Sequence, residues 1–299
     1  MKVLIAGGRG FMGSALAASL QASGHEICIL TRSKPIRPNE IQWDGRTPDG
    51  WGARIGEMDA VVNTTGFGLE HWPWTKAQKR RFLDSRVAPA HALVSAVKSS
   101  VKRPGVFVQI SGINHYGLHG EGVADESTPP GEDYLAQLTV QWEAPANRLE
   151  ELGVRRVVAR SAVVLDAKRG MFPLMALPVR LFVGGPLGDG KQAVPWIHLA
   201  DQTGAIRYLL ENQNARGVFN LIAPEATSNA RFMRAVAGAL SRPYWFPTPA
   251  CLLRFVLGEM SALVVDGRYI APRRLLEVGY RFQFPDIDSA LADLFGLRA

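Results

Sequence analysis

The first thirteen residues, MKVLIAGGRGFMG, restrict the fold more than any other part of the chain. An apolar run, KVLIAG, passes straight into a glycine-rich turn. FMGSALAASLQASG then carries helical spacing, with Leu16 and Leu20 one turn apart and Gly24 just past the end. Gly7, Gly10 and Gly13 spell G-x-x-G-x-x-G; Gly8, Gly10 and Gly13 spell G-x-G-x-x-G. Strand, turn and helix in this order are what a dinucleotide-binding turn requires. Gly7 permits the sharp exit from the strand, Gly10 lets backbone N–H groups approach a pyrophosphate, and Gly13 lets the helix pack on the sheet. Phe11 and Met12 open that helix, whose positive end faces the phosphates.

The end of the second strand selects the nucleotide. HEICILTRS ends in Thr31, Arg32 and Ser33, where a site for NAD usually presents Asp or Glu to the ribose 2′-hydroxyl. The next carboxylate is Glu40. An arginine fork suits a 2′-phosphate. Arg32, with Arg9 as a second charge, therefore predicts NADP(H).

Strand and helix patterns continue to alternate. MDAVVNTTG reads as a third strand ending near Asn63. A basic helical stretch runs to about Ser99, interrupted by Pro89. GVFVQISG is a fourth strand, and DYLAQLTVQWEAPANRLEELG a helix that Pro145 should kink. VRRVVARSAVVL is a fifth strand. This alternation predicts a Rossmann-like α/β fold, a doubly wound parallel sheet with helices on both faces. Residues 1–165 would form the NADP-binding domain. Residues 166–299 form a mixed region that returns partly to the sheet over about 196–222. Short amphipathic helices from about 224 to 299 then predict a small, mainly helical C-terminal lobe over the ligand edge.

Composition adds exclusions. No apolar run reaches the ~18 residues of a membrane helix, and no segment before Lys2 reads as a signal peptide. Two cysteines, Cys28 and Cys251, give no disulfide framework, so a cytoplasmic setting is expected. The net charge of +7 permits nucleic-acid binding. Its densest basic stretch, residues 76–86, reads more simply as a solvated helix face. No specific nucleic-acid partner is therefore expected, and the oligomeric state is not legible. The six histidines are scattered without zinc-site spacing, so no metal is expected. No G-x-S-x-G elbow anchors a hydrolase triad.

Further motifs carry a family resemblance: NTTG at 63–66, DSRV at 84–87, SGINHYG at 111–117, QWEA at 141–144, GGPLGDGKQAVPWIHLAD at 184–201 and GYRFQFP at 279–285. With the glycine turn, they resemble the extended, atypical short-chain dehydrogenases/reductases. Within these they resemble the epimerase family proteins, which are NAD-dependent epimerase/dehydratase-like. The resemblance spans essentially the whole chain. It implies NADP as cofactor, with Thr31 and Arg32 at the adenosine phosphate end. It also implies that Thr64 and Thr65 line the cofactor, that Arg86 and Arg81 reach in from the basic helix, and that Val164 sits near the nicotinamide. The substrate would be a small polar molecule, with sugar-nucleotides among the candidates, held between the sheet edge and the small lobe.

Active members of that superfamily use Ser, Tyr and Lys, the last two spaced Y-x-x-x-K on one helix face. Ser111 and Tyr134 stand where the serine and tyrosine belong, but position 138 is Leu. A phenol without a nearby cation stays near a pKa of ~10 and is a poor base at neutral pH. His115 and Tyr116 are alternative proton carriers, so turnover is expected to depend more on the loop from Ser111 to Tyr116 than on Tyr134. His198 is a candidate substrate contact, or else helps to set the following helix with Asp201. Three functions are compatible with these residues: an NADP-dependent oxidoreductase or epimerase, an NADPH sensor that has lost its chemistry, and an interaction protein in which the nucleotide is structural.

Overall fold

The structure, a computed structural model, describes residues 1–297. Seven parallel strands form the central sheet. β1 (Lys2–Ala6), β2 (Glu26–Thr31) and β3 (Glu40–Gln42) run outward in one direction. β4 (Ala60–Asn63), β5 (Val106–Gly112), β6 (Arg155–Ser161) and β9 (Gly217–Leu221) run in the other, giving the order β3-β2-β1-β4-β5-β6-β9. β7 (Val163–Leu165) and β8 (Trp196–His198) pair separately. The architecture is a Rossmann-like doubly wound α/β fold.

The alternating pleat explains the two core layers. Val3 and Ile5 of β1 join Leu16 and Leu20 of α1 (Phe11–Ala22) on one face. Leu4 and Ala6 join Leu93 and Val97 of α2 (Lys76–Ser99) on the other. α3 (Tyr134–Glu143) packs beside α2. α4 (Phe172–Arg180), α6 (Asn229–Ala239) and α10 (Ile287–Phe295) enclose a third, smaller core. α5 (Leu199–Glu211) lies against α1. The short helices α7 (Ala250–Leu257), α8 (Ala262–Val265) and α9 (Arg273–Glu277) complete the mainly helical lobe.

Several local expectations change. α2 does not break at Pro89; it continues for 24 residues with Pro89 buried inside it. Proline removes one helical hydrogen bond, and burial of the surrounding Phe82, Ala90, Leu93 and Val94 holds the helix through it. At Pro145 the chain does not kink a longer helix. α3 stops at Glu143 and a 3-10 turn, Ala144–Ala146, takes over. The fifth predicted strand divides at Ala162, where the chain leaves the central sheet for β7. β3, only three residues long, was not foreseen. No helix among the described residues is long and apolar enough to cross a membrane.

Candidate functional site

The strand order reverses between β1 and β4, and this switch point opens a crevice at their C-terminal ends. The chain leaves β1 through Gly7 and leaves β4 through Thr64. The two turns are tied together: the Thr64 N–H and hydroxyl both donate to the Ala6 carbonyl, at 2.9 and 2.7 Å. Gly7 has φ +82°, and Gly13 is pressed so tightly that a Cβ there would lie 2.3 Å from the Gly7 carbonyl oxygen and 2.8 Å from Gly8 Cα. The amides at the start of α1, from Phe11 to Gly13, have no side-chain cap, and the first turn holds no acid. Helix geometry orphans these N–H groups, and the macrodipole makes the spot electropositive. Such a spot suits an anion.

Arg9 and Arg32 differ in a way the sequence did not reveal. Arg9 turns onto Glu40 of β3, donating from Nε and Nη2 at 3.0 and 2.5 Å. Its Nη2 also donates to the Lys34 carbonyl at 3.0 Å, so its charge is already spent. Arg9, expected as a second phosphate charge, stands here in an ion pair with Glu40. Arg32 remains exposed at the end of β2, beside Gly45, with Ser33 exposed next to it and Thr31 buried beneath. Glu40 also accepts from the Ile36 and Arg37 amides, at 2.7 and 3.1 Å. The Arg9 bonds first, then the Ile36 amide, hold its carboxyl down to about 2. A carboxylate lowered in the folded state stabilises fully above its unfolded value and loses that contribution as pH falls through the folded one. Glu40→Gln is therefore expected to lower stability at neutral pH and to flatten the acid limb from about 4.5 down to about 2. Urea titrations across that range check this, and an unchanged limb would refute it.

Across the crevice, Arg86 is buried against the Trp142 ring, 4.8 Å from its centroid. Its Nη1 donates to the Phe67 and Phe82 carbonyls at 2.9 and 3.0 Å, and no carboxylate lies within ion-pair distance among the described residues. The rest of its fork faces Gly66, whose Cβ would stand 3.4 Å from Cζ. Burial lowers this guanidinium to about 10, which leaves it charged at neutral pH. Arg81 is exposed and stacks over the Phe67 ring at 3.9 Å. Thr65 is fixed by the Asn63 carboxamide, to which its amide and hydroxyl donate at 3.1 and 2.7 Å. Val164 is buried in β7. Arg169, which sequence reading missed, lies over the Phe11 ring at 5.3 Å and donates to Ser14 Oγ at 3.0 Å. It follows β7, whose departure from the central sheet no sequence signal marked.

The groups expected to carry protons are rearranged. Ser111 is buried and donates to Glu143 Oε1 at 2.7 Å. Arg160 grips Glu143 with Nε and Nη2, both at 2.9 Å, and donates from Nη1 to the Tyr116 hydroxyl at 2.9 Å. Tyr116 is fully buried and donates to Asn220 Oδ1 at 2.7 Å. Ser111 and Tyr116 thus belong to an interior network that joins β5, α3, β6 and β9. His115 is also buried. Burial and the Arg160 cation lower it to about 4, so it is neutral at pH 7.

Tyr134, by contrast, is only half-buried, at the start of α3. Its hydroxyl donates to the Lys79 carbonyl at 3.3 Å, and Lys79 Nζ lies 4.6 Å from its ring centroid. Burial raises the phenol, while the Arg86 charge opposes that rise. Of the α2 cations beside it, Arg86 opposes that rise, whereas Lys79 is paired with Glu259. Leu138 is core, with no room for an exposed ammonium. His198, read as a substrate contact or as a residue that sets the following helix, caps that helix. Its Nδ1 accepts the Ala200 amide at 3.2 Å, and its ring packs on Phe284. Buried Asp201 accepts from the Tyr280 hydroxyl and the Gln283 and Phe284 amides, at 2.9, 2.8 and 2.9 Å, tying α5 to the small lobe.

A groove of about 690 Å³ lies on the outer face of α2, between Thr47 and Asn147, and none of the candidate residues lines it. No metal-holding group of His, Cys, Asp or Glu occurs among the described residues.

Comparison with known proteins agrees with this geometry. Residues 3–221 match the model of the NAD dependent epimerase/dehydratase family, and residues 248–294 match a domain of unknown function, DUF1731. The epimerase family protein SDR39U1 of Bos taurus is 37% identical, over 98% of this chain and 99% of its own. The epimerase family protein YfhF of Bacillus subtilis is 32% identical, over 100% and 99%. The crystal structure of human SDR39U1 with NADPH superposes with a TM-score of 0.90 at 33% identity, covering both chains completely. A nucleoside-diphosphate sugar epimerase from Corynebacterium glutamicum superposes with a TM-score of 0.81 at 27% identity, covering 99% of this chain and 58% of that one. With its glycine turn at the switch point and its sequence matched from β1 to β9, the chain belongs to the NAD dependent epimerase/dehydratase family.

Proposed function

We propose that the protein binds NADP(H) at the β1–β4 switch point and acts as an oxidoreductase or epimerase on a small polar substrate, sugar-nucleotides included. Exposed Arg32 carries this reading: it stands at the end of β2 in no ion pair among the described residues, while Glu40, the first carboxylate after the strand, is tied to Arg9. The relative crystallised with NADPH supports the same cofactor. The glycine cradle and the uncapped start of α1 would hold the pyrophosphate. Arg32 and Ser33 would hold the 2′-phosphate, and Thr64, Thr65, Arg81 and Arg86 would line the crevice. Val164 would flank the nicotinamide, which supplies or accepts a hydride when bound. Residues 1–165 would serve the nucleotide, and the lobe after about 224 the substrate.

Tyr134 is then the candidate proton carrier at the substrate oxygen, with Arg86 as the nearby cation that opposes the rise caused by burial. A second reading, an NADPH sensor without turnover, draws support from the burial of Ser111 and Tyr116 and from the apolar Leu138. Calorimetry with NADPH and NADH tests the cofactor. A charge-assisted phosphate contact is worth about 1.5–3 kcal/mol, or roughly tenfold to over a hundredfold. NADPH should win by that factor, and Arg32→Ala should erase the difference; equal affinities in the wild type would sink the proposal. Turnover on carbonyl and sugar-nucleotide panels separates the two readings. Activity that falls by orders of magnitude in Tyr134→Phe supports the enzyme, while intact NADPH binding with no turnover in either protein supports the sensor.

A further inference from the structure

The loop that joins β7 to α4, residues 166–171, lies on the start of α1. Asp166 shapes it: Oδ1 accepts the Lys168 and Arg169 amides at 2.9 and 2.7 Å, which closes a tight turn. Gly170 follows with φ +75°, and a Cβ there would stand 2.7 Å from Phe11 Cε1. Glycine lets the backbone adopt this conformation and pass close to the Phe11 ring. Phe172, two residues on, is fully buried in the third core and anchors the far end of the loop. Pairing of β7 with β8 fixes the near end.

Between these anchors Arg169 stands exposed against the first turn of α1. Its Cζ lies 5.3 Å from the Phe11 ring centroid, and its Nη1 donates to Ser14 Oγ at 3.0 Å. Ser14 belongs to that turn: its amide donates to the Gly10 carbonyl at 3.0 Å and its hydroxyl to the Phe11 carbonyl at 3.1 Å. The guanidinium is therefore about one helical turn from the uncapped amides of residues 11–13. Nε and Nη2 make no hydrogen bond, and Arg169 makes no ion pair, among the described residues. The macrodipole disfavours a cation beside the positive end of a helix. Here one is held there with no carboxylate to offset it. An anion lying between the helix end and the guanidinium turns that repulsion into attraction on both sides.

The other two arginines of the nucleotide site are placed for different work. Arg9 is paired with Glu40, and Arg32 stands at the end of β2 for the 2′-phosphate. We propose that Arg169 is a further cofactor contact that closes over the pyrophosphate held by the glycine turn. This assignment rests on the cofactor reading above, which the relative crystallised with NADPH supports. The pyrophosphate is common to NADPH and NADH, so Arg169 contributes to affinity and not to the choice between them. It also extends the nucleotide site past residue 165, into the chain that builds the third core.

Calorimetry with NADPH, NADH, ADP-ribose and 2′-AMP tests it. Arg169 is exposed, so Arg169→Met should fold with an unchanged Tm. It should weaken NADPH, NADH and ADP-ribose alike, by roughly tenfold or more, the effect of losing one charge-assisted contact. Raising the salt concentration should narrow that gap between wild type and variant. 2′-AMP carries the 2′-phosphate without a pyrophosphate and should bind both proteins equally. Wild-type affinity of Arg169→Met for NADH and ADP-ribose would overturn the proposal and leave the cofactor reading standing. A loss confined to NADPH and 2′-AMP would also overturn it, by assigning the guanidinium to the 2′-phosphate. A wild-type protein that binds none of the four would overturn the cofactor reading and this proposal with it.

Discussion

Gly13→Ala is expected to abolish nucleotide binding and to destabilise the fold. The added Cβ would stand 2.3 Å from the Gly7 carbonyl oxygen, 2.8 Å from Gly8 Cα and 2.8 Å from Thr64 Oγ1. The first two are backbone atoms of the turn itself, so no side chain can swing aside. Relief requires α1 to move off the sheet, away from Leu16 and Leu20, which are fully buried in the first core layer. Overpacking of this kind costs about 1–3 kcal/mol, and the displaced amides cost the binding site its geometry. A loss of binding on the order of a hundredfold or more follows from ~3 kcal/mol. Gly238→Ala is the contrasting control. It lies in α6 with nothing within 4 Å of its Cβ position, so alanine should stabilise by about 0.5–1 kcal/mol. Denaturation midpoints and NADPH titration check both, and a Gly13→Ala protein that binds normally would remove the glycine cradle from the proposed site.

The second large effect lies in the interior network. Arg160→Met is expected to cost about 3–5 kcal/mol, because it strands the Glu143 carboxylate, nearly sealed from water, without its cation. It also removes the donor to Tyr116. Burial pulls the Arg160 guanidinium down, but the Glu143 bonds outweigh it and the net direction is up, as expected for a pair that charges together. The double variant Arg160→Met/Glu143→Leu should recover much of the loss, since replacing both members of a buried pair by apolar groups is often near neutral. A double-mutant cycle in urea measures the coupling. Additive losses would mean that the two side chains do not act as a unit.

This network separates what was legible from what was not. QWEA at 141–144 is legible as a motif, but nothing local to it gives Glu143 a role. Arg160 lies within an apolar strand pattern. A charge in the middle of a buried parallel strand demands a partner, and that signal was available. Its identity was not, because Glu143 and Asn220 lie 17 and 104 positions from Arg160 and Tyr116 respectively. Tyr134 shows the same limit. The missing lysine at position 138 was plain from helix spacing, but the cations of α2 reach the tyrosine only through the packing of α2 on α3.

The sequence by itself determined the alternation of strands and helices, the glycine turn and the absence of a free acid just after β2. These depend on local spacing and on which residues can adopt a tight turn, so they survive without tertiary context. Tertiary structure alone decided how the charged and polar groups divide between scaffold and site. Arg9 and Arg32 look equivalent along the chain, yet pairing β3 beside β2 delivers Glu40 to one and leaves the other in solvent. Ser111 and Tyr116 look like proton carriers until β6 and β9 close over them. Burial and partner choice are set by strand order and helix packing, which join residues far apart in sequence, and no local pattern encodes them.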